Sequence, residues 1–514
     1  DRRTGLINLD GRVRVLVDPA KEWAQMLGEV YRRLRDDFWC EDMNGVDWEG
    51  TLTRYEGILP TISTRRELSD MLTEMSAELG CSHVSVTSGD PGRSARRHSA
   101  GYLGADFIWD ASVSGYRIVN IVKGDSWDDA RGGVLSKPGV NISEGDILLN
   151  IDRIPLTEHV SPAALLVEKG GSEVLLTVKI DSEDASVDKA LKKLSLKDKK
   201  KKSKENKDDS RPKKGDIVPV RVRAMYSELD ARYRDMIESR TRTVHAMSDG
   251  VVGYLHVPDM ESTGYSEFWR HYACEVRKGS LVLDLRGNTG GHISELLLSK
   301  LSQRALAWDI PRRGELQVYP SNTPGPLVML VNERTGSDAE LMAESFRKLG
   351  LGIVVGTRTW GGLLSIHGSA DLIDGSEVSI PSQNVLLVDE VKDPSLRTNK
   401  VENVGVYPDV CVNIKPSDYA AGADPQLERA VKEALTLLNK SKLARAPSSL
   451  RKTHRDDTLA AEIERAETKD KPWSFATWAP LPPTLEEEQA AAAKKAKRSA
   501  RRKANTSEGA ERDV

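Results

Sequence analysis

Five short apolar runs between residues 217 and 438 limit most strongly how this chain can fold. Helical patterns separate several of these runs, as the crossover connections of parallel strands require. We therefore predict an α/β domain over 217–438 whose strands include VVGYLHV, SLVLDLR, LVMLV, GIVVG and NVLLV.

A mostly helical domain is predicted over 19–100, after a short strand or linker at 1–18. Thr64 and Glu67 have the spacing of a capping box at the start of its second helix, and Gly80 ends that helix. The helix carries one apolar stripe, formed by Leu68, Met71, Leu72, Met75 and Leu79.

Between these two domains lies a segment rich in predicted strands, over 101–185. It contains GYLGADF, YRIVNIV, EGDILLNIDRIPL and SEVLLTVKI in that order. The EGD followed by alternating apolar residues, a turn and another strand resembles a PDZ domain, although another small β-domain would have a similar pattern. In the PDZ family, GYLGADF would form the peptide-binding loop and the first strand.

The charged residues, 30% of the 514-residue chain, are concentrated in two segments. An insert at 186–216 and a tail at 439–514 are predicted to be largely disordered, because they contain too few apolar residues to form a core. The net charge of −3 gives no general reason to expect nucleic-acid binding. No apolar run approaches the roughly 18 residues of a membrane span, so no membrane partner is expected.

The cysteines are far apart and form no CxxC pair, which argues against a zinc site or a disulfide framework. This usage fits a reducing compartment, and neither a metal nor another cofactor is expected. The chain begins with Asp1 rather than Met, so we expect it to be processed or part of something longer. The four cysteines are Cys40, Cys81, Cys274 and Cys411.

Ser337 lies at a sharp turn between the predicted strand LVMLV and a helical pattern. One interpretation is a capping box, in which Ser337 closes the helix and Glu340 reaches back. The other is a nucleophile, because a serine at such a corner is exposed and close to unpaired backbone N–H groups. The two roles are compatible, and the local sequence alone favours the cap, because capping serines far outnumber catalytic ones.

Two glycine-rich phrases accompany this serine in the predicted α/β domain. VLDLRGNTGG lies upstream at 282–291, and GTRTWGGL lies downstream at 356–363. The three phrases together, in this order, resemble the serine peptidases that share the core of carboxyl-terminal-processing proteases, with a ClpP/crotonase-like fold. The resemblance implies a multidomain α/β protein with a peptidase active site.

Two branches of that group differ in their catalytic base. Tail-processing proteases carry a lysine in a phrase such as RTFGKG, and the corresponding position here is Gly362, which has no side chain. The tricorn protease family instead has a histidine before the PDZ domain, and this chain has Ser82 and His83 in CSHVSV. VENVGVYPD resembles the tricorn motif that carries an orienting glutamate, here Glu402. The chain thus resembles the C-terminal half of tricorn.

The resemblance implies a role for each of four residues. Ser337 would attack the scissile carbonyl, and His83 would take its proton and pass it to the leaving amine. Ser82 would bridge His83 and Glu402, and the glutamate would hold the histidine tautomer and offset the imidazolium charge.

Three further residues carry binding roles in this interpretation. The backbone N–H groups of Gly290 and Asp338 would form the oxyanion hole, and Asp338 lies in the first helical turn, where the helix dipole is positive. Asp309 in LAWDIPRRG is the candidate for a preference for basic residues before the cut. An aspartate before a turn is equally typical of a cap.

The expected function is that of a tricorn-like serine peptidase without a cofactor, acting on peptides downstream of a larger protease. The resemblance also implies a cytoplasmic homo-oligomer, specifically a hexamer, although no β-propeller segment precedes the matched half here. The alternatives are a tail-specific processing protease, an inactive PDZ scaffold and a crotonase-type acyl-CoA enzyme. The absence of the lysine argues against the processing protease, and the presence of all four side chains argues against the inactive scaffold. The PDZ segment argues against the acyl-CoA enzyme.

Overall fold

The computed structural model describes residues 16–87, 89, 98–182, 212–309, 311, 317–388, 390–391 and 399–441. Most of the predicted insert (186–216), nearly all of the predicted tail (439–514) and most of the predicted N-terminal strand or linker (1–18) lie outside these residues. No helix in the part so described is both long enough and apolar enough to cross a membrane.

The N-terminal helical segment consists of α1 (Pro19–Asp37), α2 (Trp48–Ile58), α3 (Arg65–Ala77) and the strand β1 (Ser85–Val86). The predicted capping box is confirmed, because the Glu67 N–H donates to Thr64 Oγ1 and the Thr64 N–H donates to the Glu67 carboxylate. Gly80 adopts a φ of +60°, which favours glycine, just beyond the helix. The helices share a core that includes Met26, Leu27, Leu34, Leu68, Leu72 and Met75.

The PDZ-like domain consists of β2 (Ala105–Asp110), β3 (Gly115–Ile121), β4 (Ile147–Ile151), β5 (Ile154–Pro155), α4 (Pro162–Leu165) and β6 (Glu173–Lys179). The strands form an antiparallel sheet in the order β2-β3-β4-β6, with β5 against β4. This agrees with the strands predicted from the alternating apolar residues.

One further strand, β7 (Ile217–Arg223), corrects the predicted start of the α/β domain. It pairs antiparallel with β6 over its whole length, so the boundary predicted at 217 is wrong for this strand. It lies at the edge of the sheet and contains Pro219, which an edge strand tolerates because proline has no N–H to donate. An antiparallel neighbour needs no crossover helix, unlike the parallel strand expected here.

The α/β domain begins with α5 (Leu229–Met247), β8 (Val252–His256), α6 (Ser262–Glu275), β9 (Ser280–Asp284), α7 (Ser294–Leu301), β10 (Ala307–Asp309) and β11 (Gln317–Tyr319). It continues with β12 (Leu327–Val331), α8 (Asp338–Lys348), β13 (Gly352–Gly356), β14 (Leu364–Asp371), β15 (Glu377–Asn384), β16 (Val410–Cys411), α9 (Pro416–Ala421) and α10 (Pro425–Lys440).

Five of these strands form a parallel sheet in the order β16-β13-β12-β9-β8. Successive side chains point to opposite faces: Met329 packs with α6, α7 and α8, whereas Val328 and Leu330 pack with α5 and α10. Because both faces are covered by helices, every residue of β8, β9 and β12 is buried, as the predicted apolar runs indicated.

The strand predicted in NVLLV is wrong: only its Asn384 belongs to a strand, as the end of β15. β15 pairs with β14 on one side and with β1 on the other, in a small sheet separate from the parallel one. The helical segment is thereby joined directly to the α/β domain. This contact places the loop before β1 near the carboxyl ends of the parallel strands.

Candidate active site

Ser337 occupies the turn between β12 and α8, and its backbone lies in a region rarely used by residues other than glycine (φ 54°, ψ −125°). Such strain is typical of functional sites. Gly290 packs directly against the serine, because a Cβ at position 290 would lie 2.5 Å from Ser337 Cβ. The turn therefore holds the hydroxyl at the end of the strand, with the glycine loop after β9 beside it.

Glu340 holds this turn in place. Its carboxylate accepts a hydrogen bond from the Ser337 N–H at 3.0 Å, which is the glutamate half of the predicted capping box. The same fully buried carboxylate accepts from the Gly361 N–H, the Gly362 N–H and the Thr359 hydroxyl. One side chain thus ties the serine turn to the loop that contains GTRTWGGL.

His83 lies beside the serine, with its Nε2 atom 3.1 Å from Ser337 Oγ. Its backbone also adopts a positive φ, of 64°, and its carbonyl accepts a hydrogen bond from the Ser379 hydroxyl of β15 at 2.7 Å. The pairing of β1 with β15 therefore fixes a histidine that lies 254 residues before the serine in the chain.

Ser82 connects His83 to Glu402. Its Oγ lies 2.7 Å from His83 Nδ1 and donates to Glu402 Oε2 at 3.0 Å. A hydroxyl has one hydrogen, and a carboxylate only accepts, so the hydrogen between Ser82 and His83 belongs to Nδ1. This tautomer leaves the Nε2 lone pair directed at Ser337, as a general base requires.

Glu402 is buried and accepts two further hydrogen bonds, from the Ser82 N–H at 2.6 Å and the Leu363 N–H at 2.7 Å. These donors place a carboxylate close to the histidine without direct contact. Burial lowers the pKa of His83 below its ordinary value, and the Glu402 charge offsets only part of this effect. The imidazole is therefore neutral at physiological pH and able to accept a proton.

The two predicted oxyanion donors differ in this structure. Asp338 is the first residue of α8, where an N–H has no carbonyl partner within the helix. The Gly290 N–H instead donates to Asn288 Oδ1 at 2.9 Å. Asn288 is fully buried, and this hydrogen bond within the turn gives its side-chain oxygen a partner. The structure therefore brings Gly290 to the serine but does not direct its N–H to an open oxyanion position.

The Asp338 side chain has a structural contact of its own. It accepts hydrogen bonds from the Ser294 N–H and hydroxyl, which joins the start of α8 to the start of α7. Burial raises the pKa of the Asp338 carboxyl, although the Ser294 donors act in the opposite direction.

A lysine base at position 362 is sterically excluded. A Cβ added at Gly362 would lie 2.3 Å from the ring of Trp360, so even alanine requires that ring to move. The sequence showed that the lysine is absent, and the structure adds that tryptophan occupies its space.

Asp309 is not part of the cluster. It is exposed at the end of β10, in a two-stranded ribbon, and none of the hydrogen bonds described above involves it. The Asp309 carboxylate is therefore in contact with solvent, and its role in a preference for basic residues stays a prediction.

Sequence reasoning missed three positioning contacts in the described chain. Glu340 was recognised only as a cap, and Ser379 carried no signal because its partner is a backbone carbonyl. Asn399, which accepts from the Glu402 N–H at 2.8 Å, was also not identified. Within the described residues, no group of three or more His, Cys, Asp or Glu side chains is arranged to hold a metal ion.

Models of three protein domains match this chain in succession. They are the Tricorn protease C1 domain at 19–77, the Tricorn protease PDZ domain at 101–194 and Peptidase family S41 at 251–412. The PDZ match ends in residues that the structure does not describe, and the S41 match contains both Ser337 and Glu402.

Tricorn protease homolog 1 of Streptomyces coelicolor is 36% identical over 442 residues, which are 86% of this chain and 37% of that protein. A putative tricorn-like protease C-terminal subunit of Sulfurisphaera tokodaii is 34% identical over 85% of this chain and 46% of its own length. A crystal structure of the tricorn protease matches with a TM-score of 0.69 at 29% identity, over 83% of this chain and 37% of that one. The chain thus spans less than half the length of these relatives, and it belongs to the tricorn protease family.

Proposed function

We propose that this chain is a serine peptidase that hydrolyses peptides through an acyl-enzyme, with Ser337 as nucleophile and His83 as general base. The observation that carries the proposal is the unbroken series of hydrogen bonds from Ser337 through His83 and Ser82 to Glu402. These residues come from three separate parts of the chain. A serine that only capped α8 would not need a histidine hydrogen-bonded to its hydroxyl. Family membership supports the same chemistry.

The first half of the reaction forms the acyl-enzyme. His83 Nε2 takes the Ser337 proton as the oxygen attacks the peptide carbonyl, and the resulting imidazolium gives that proton to the departing amine. In the second half, the same nitrogen takes a proton from a water molecule as the water oxygen attacks the acyl carbonyl. The imidazolium then returns this proton to Ser337 Oγ as the ester bond breaks, which releases the acid product and regenerates the serine. Glu402 stabilises the imidazolium through Ser82, and its own charge stays paired with backbone donors.

The oxyanion of each tetrahedral intermediate would receive the Asp338 N–H at the positive end of α8. Gly290 would supply the second donor by exchanging its hydrogen bond to Asn288 for one to the oxyanion. Hydrogen bonds of this kind are often long or misdirected before substrate binds. The proposal thus assigns Gly290 a donor that becomes available only in the complex.

Neither main alternative fits the geometry as well. A tail-specific processing protease needs a lysine where this chain has Gly362 beneath Trp360. An inactive PDZ scaffold predicts a disrupted catalytic cluster, whereas the hydroxyl, imidazole and carboxylate here are mutually hydrogen-bonded.

Substrate preference and assembly are extensions of this proposal. We propose peptides released by a larger protease as substrates, with Asp309 contributing a preference for Lys or Arg before the cut. Because Asp309 is exposed, this contribution is expected to be small, and Asp309→Ala should lower the ratio of kcat/KM for Arg over Leu substrates by at most about threefold.

Family membership also supports a homo-oligomer, and we propose the hexamer as its form. In that case activity per subunit falls on dilution in step with the loss of the assembly, measured by light scattering. A fully active monomer would refute the assembly and leave the catalytic proposal intact. A cytoplasmic location is part of the proposal, supported by four cysteines that form no disulfide with one another.

Labelling with a fluorophosphonate probe tests the catalytic assignment. The intact chain should react, and Ser337→Ala should abolish both labelling and peptide hydrolysis while the protein stays folded. The matched control is Ser161→Ala, because Ser161 caps the short helix α4 by accepting a hydrogen bond from the Ala164 N–H. Either labelling of the Ser337→Ala protein at the same rate or retained turnover would refute the nucleophile.

A further inference from the structure

Trp360 is an aromatic residue at the candidate active site with no role in the proposed chemistry. Its ring centroid lies 5.1 Å from that of His83, in an edge-on arrangement. Even so, 47% of Trp360 is exposed to solvent. Because the exposed face of Trp360 borders the proposed general base, a substrate bound at Ser337 would lie next to it.

The position of the ring is fixed from several directions. Its benzene edge packs against Gly362 and Gly336, where an added Cβ would lie 2.3 Å and 2.9 Å away, respectively. The backbone N–H of Trp360 donates to the Thr335 carbonyl at 2.9 Å, and Glu340 accepts from the backbone N–H of the next residue, Gly361. The ring is therefore attached to an anchored stretch of backbone and lies against two glycines.

The ring and the proposed oxyanion donor both border Gly336, the residue before the nucleophile, but they differ in their other neighbours. Gly290 also lies against Ser337 Cβ and Oγ, whereas Trp360 also lies against His83. In a serine peptidase the leaving amine departs toward the imidazole that protonates it. A surface next to the imidazole therefore faces the part of the substrate that follows the scissile bond.

We propose that Trp360 forms the apolar wall of the subsite for the first residue after the scissile bond, and that it selects peptides with an aliphatic or aromatic side chain there. This inference rests on the proposed peptidase function. An aliphatic side chain covers the indole and loses its own contact with water, whereas glycine leaves the indole exposed.

The test compares three substrates with the same acyl part: a peptide with leucine after the scissile bond, the same peptide with glycine there, and the methyl ester. The methyl ester has no side chain on its leaving group, so it reports on His83 and Ser337 alone. For the intact full-length chain we expect the ratio of kcat/KM for leucine over glycine to be about tenfold.

In Trp360→Ala this ratio should fall to about twofold, while hydrolysis of the methyl ester stays within about threefold of the intact chain. Trp360→Phe keeps an aromatic surface and should retain most of the preference even if the alanine variant folds poorly. Trp127→Ala, which removes a tryptophan that is 82% exposed in the PDZ-like domain, is the matched control and should change none of the three rates.

Two outcomes overturn the subsite. An unchanged ratio in a folded Trp360→Ala protein would show that the ring does not contact the substrate. An equal loss on all three substrates would show that Trp360 only positions His83. If the intact chain neither hydrolyses peptides nor reacts with the fluorophosphonate probe, the peptidase function is refuted, and the subsite with it. If labelling depends on Ser337 but the substrate ratio does not depend on Trp360, only the subsite is refuted.

Discussion

The helical segment and the PDZ-like domain attach to the same α/β domain through different kinds of contact. The helical segment adds a strand, β1, to β15, and its apolar core extends to Val378 and Ile380 of that strand. One ion pair between Arg65 and Asp374 reinforces the contact, with 2.6 Å between Nε and Oδ2 and both side chains mostly buried.

The PDZ-like domain relies on charged groups. Asp125 accepts two hydrogen bonds from Arg270 of α6 and lies 3.7 Å from Arg234 of α5. Asp106 of β2 pairs with Arg232, and the Lys123 N–H donates to Asp235, both of which belong to α5.

The difference matches what each attachment must achieve. A general base has to lie within hydrogen-bond reach of its nucleophile, and backbone pairing with an apolar core fixes it to that precision. Ion pairs between side chains hold a domain in place without setting the position of a reacting atom. The following predictions test this contrast, from the largest expected effect to the smallest.

Removing the base should have the largest effect. His83→Ala should lower kcat by about 10⁴-fold or more, as much as Ser337→Ala, because such residues act as a unit. His159→Ala removes an exposed histidine of the PDZ-like domain and should leave kcat unchanged. Steady-state kinetics on one peptide substrate measures both. Comparable activity of the two histidine variants would contradict the assignment of the base to the helical segment.

Weakening the apolar attachment at the Arg65–Asp374 ion pair should have an intermediate effect. Arg65→Ala leaves the mostly buried Asp374 with only its hydrogen bonds from Ser376, and loss of the charged partner of a buried pair costs up to about 3–5 kcal/mol. We expect β1 to separate more often from β15 and kcat to fall by about 10- to 100-fold. The double variant Arg65→Ala/Asp374→Ala should recover part of the loss, because no unpaired charge remains. Hydrogen exchange at residues 85–86 gives an independent measure; unchanged exchange and unchanged kcat would show that the ion pair is dispensable.

The pH dependence of activity also tests how the helical segment is attached, because this attachment keeps His83 buried. Because burial lowers the pKa of His83, its neutral form persists to a pH below the ordinary value of about 6.5. Activity should therefore be lost as pH falls through a midpoint below 6.5. Glu402→Gln removes the charge that raises this pKa and should move the midpoint of kcat/KM lower still, with a reduced maximum. In Arg65→Ala the midpoint should instead move up toward 6.5 as His83 becomes solvated; a midpoint above 6.5 in the intact chain would contradict burial of the base.

Weakening the charged attachment should have the smallest effect on catalysis. Asp125→Asn removes the charge shared by Arg270 and Arg234 and should increase hydrogen exchange in residues 122–133 and in α6. Hydrolysis of a short peptide should stay within about threefold, because none of these residues touches the catalytic cluster. A loss as large as that of Arg65→Ala would show that the PDZ-like domain also holds the active site together.

Much of the fold followed from local patterns in the sequence. The apolar runs of β8, β9, β12 and β13 were predicted because strands covered on both faces are rich in apolar residues. NVLLV has the same composition and does not form a strand, and β7 joined a different sheet from the one expected. Composition did not establish even burial in NVLLV, where Leu386 and Val388 are exposed. Burial and the pairing partner both depend on what lies beside a segment in three dimensions.

The sequence by itself determined which chemical groups this protein has: a serine at a strand-to-helix turn, a Ser-His pair, a glutamate, and glycine where a lysine base would be. Only the tertiary structure decided how they are used. Docking of β1 on β15 brings His83 within 3.1 Å of Ser337, Trp360 occupies the space above Gly362, Asn288 holds the Gly290 N–H, and Asp309 lies in solvent. Distances between groups far apart in the chain arise from packing and hydrogen bonds among many residues, which no local pattern encodes.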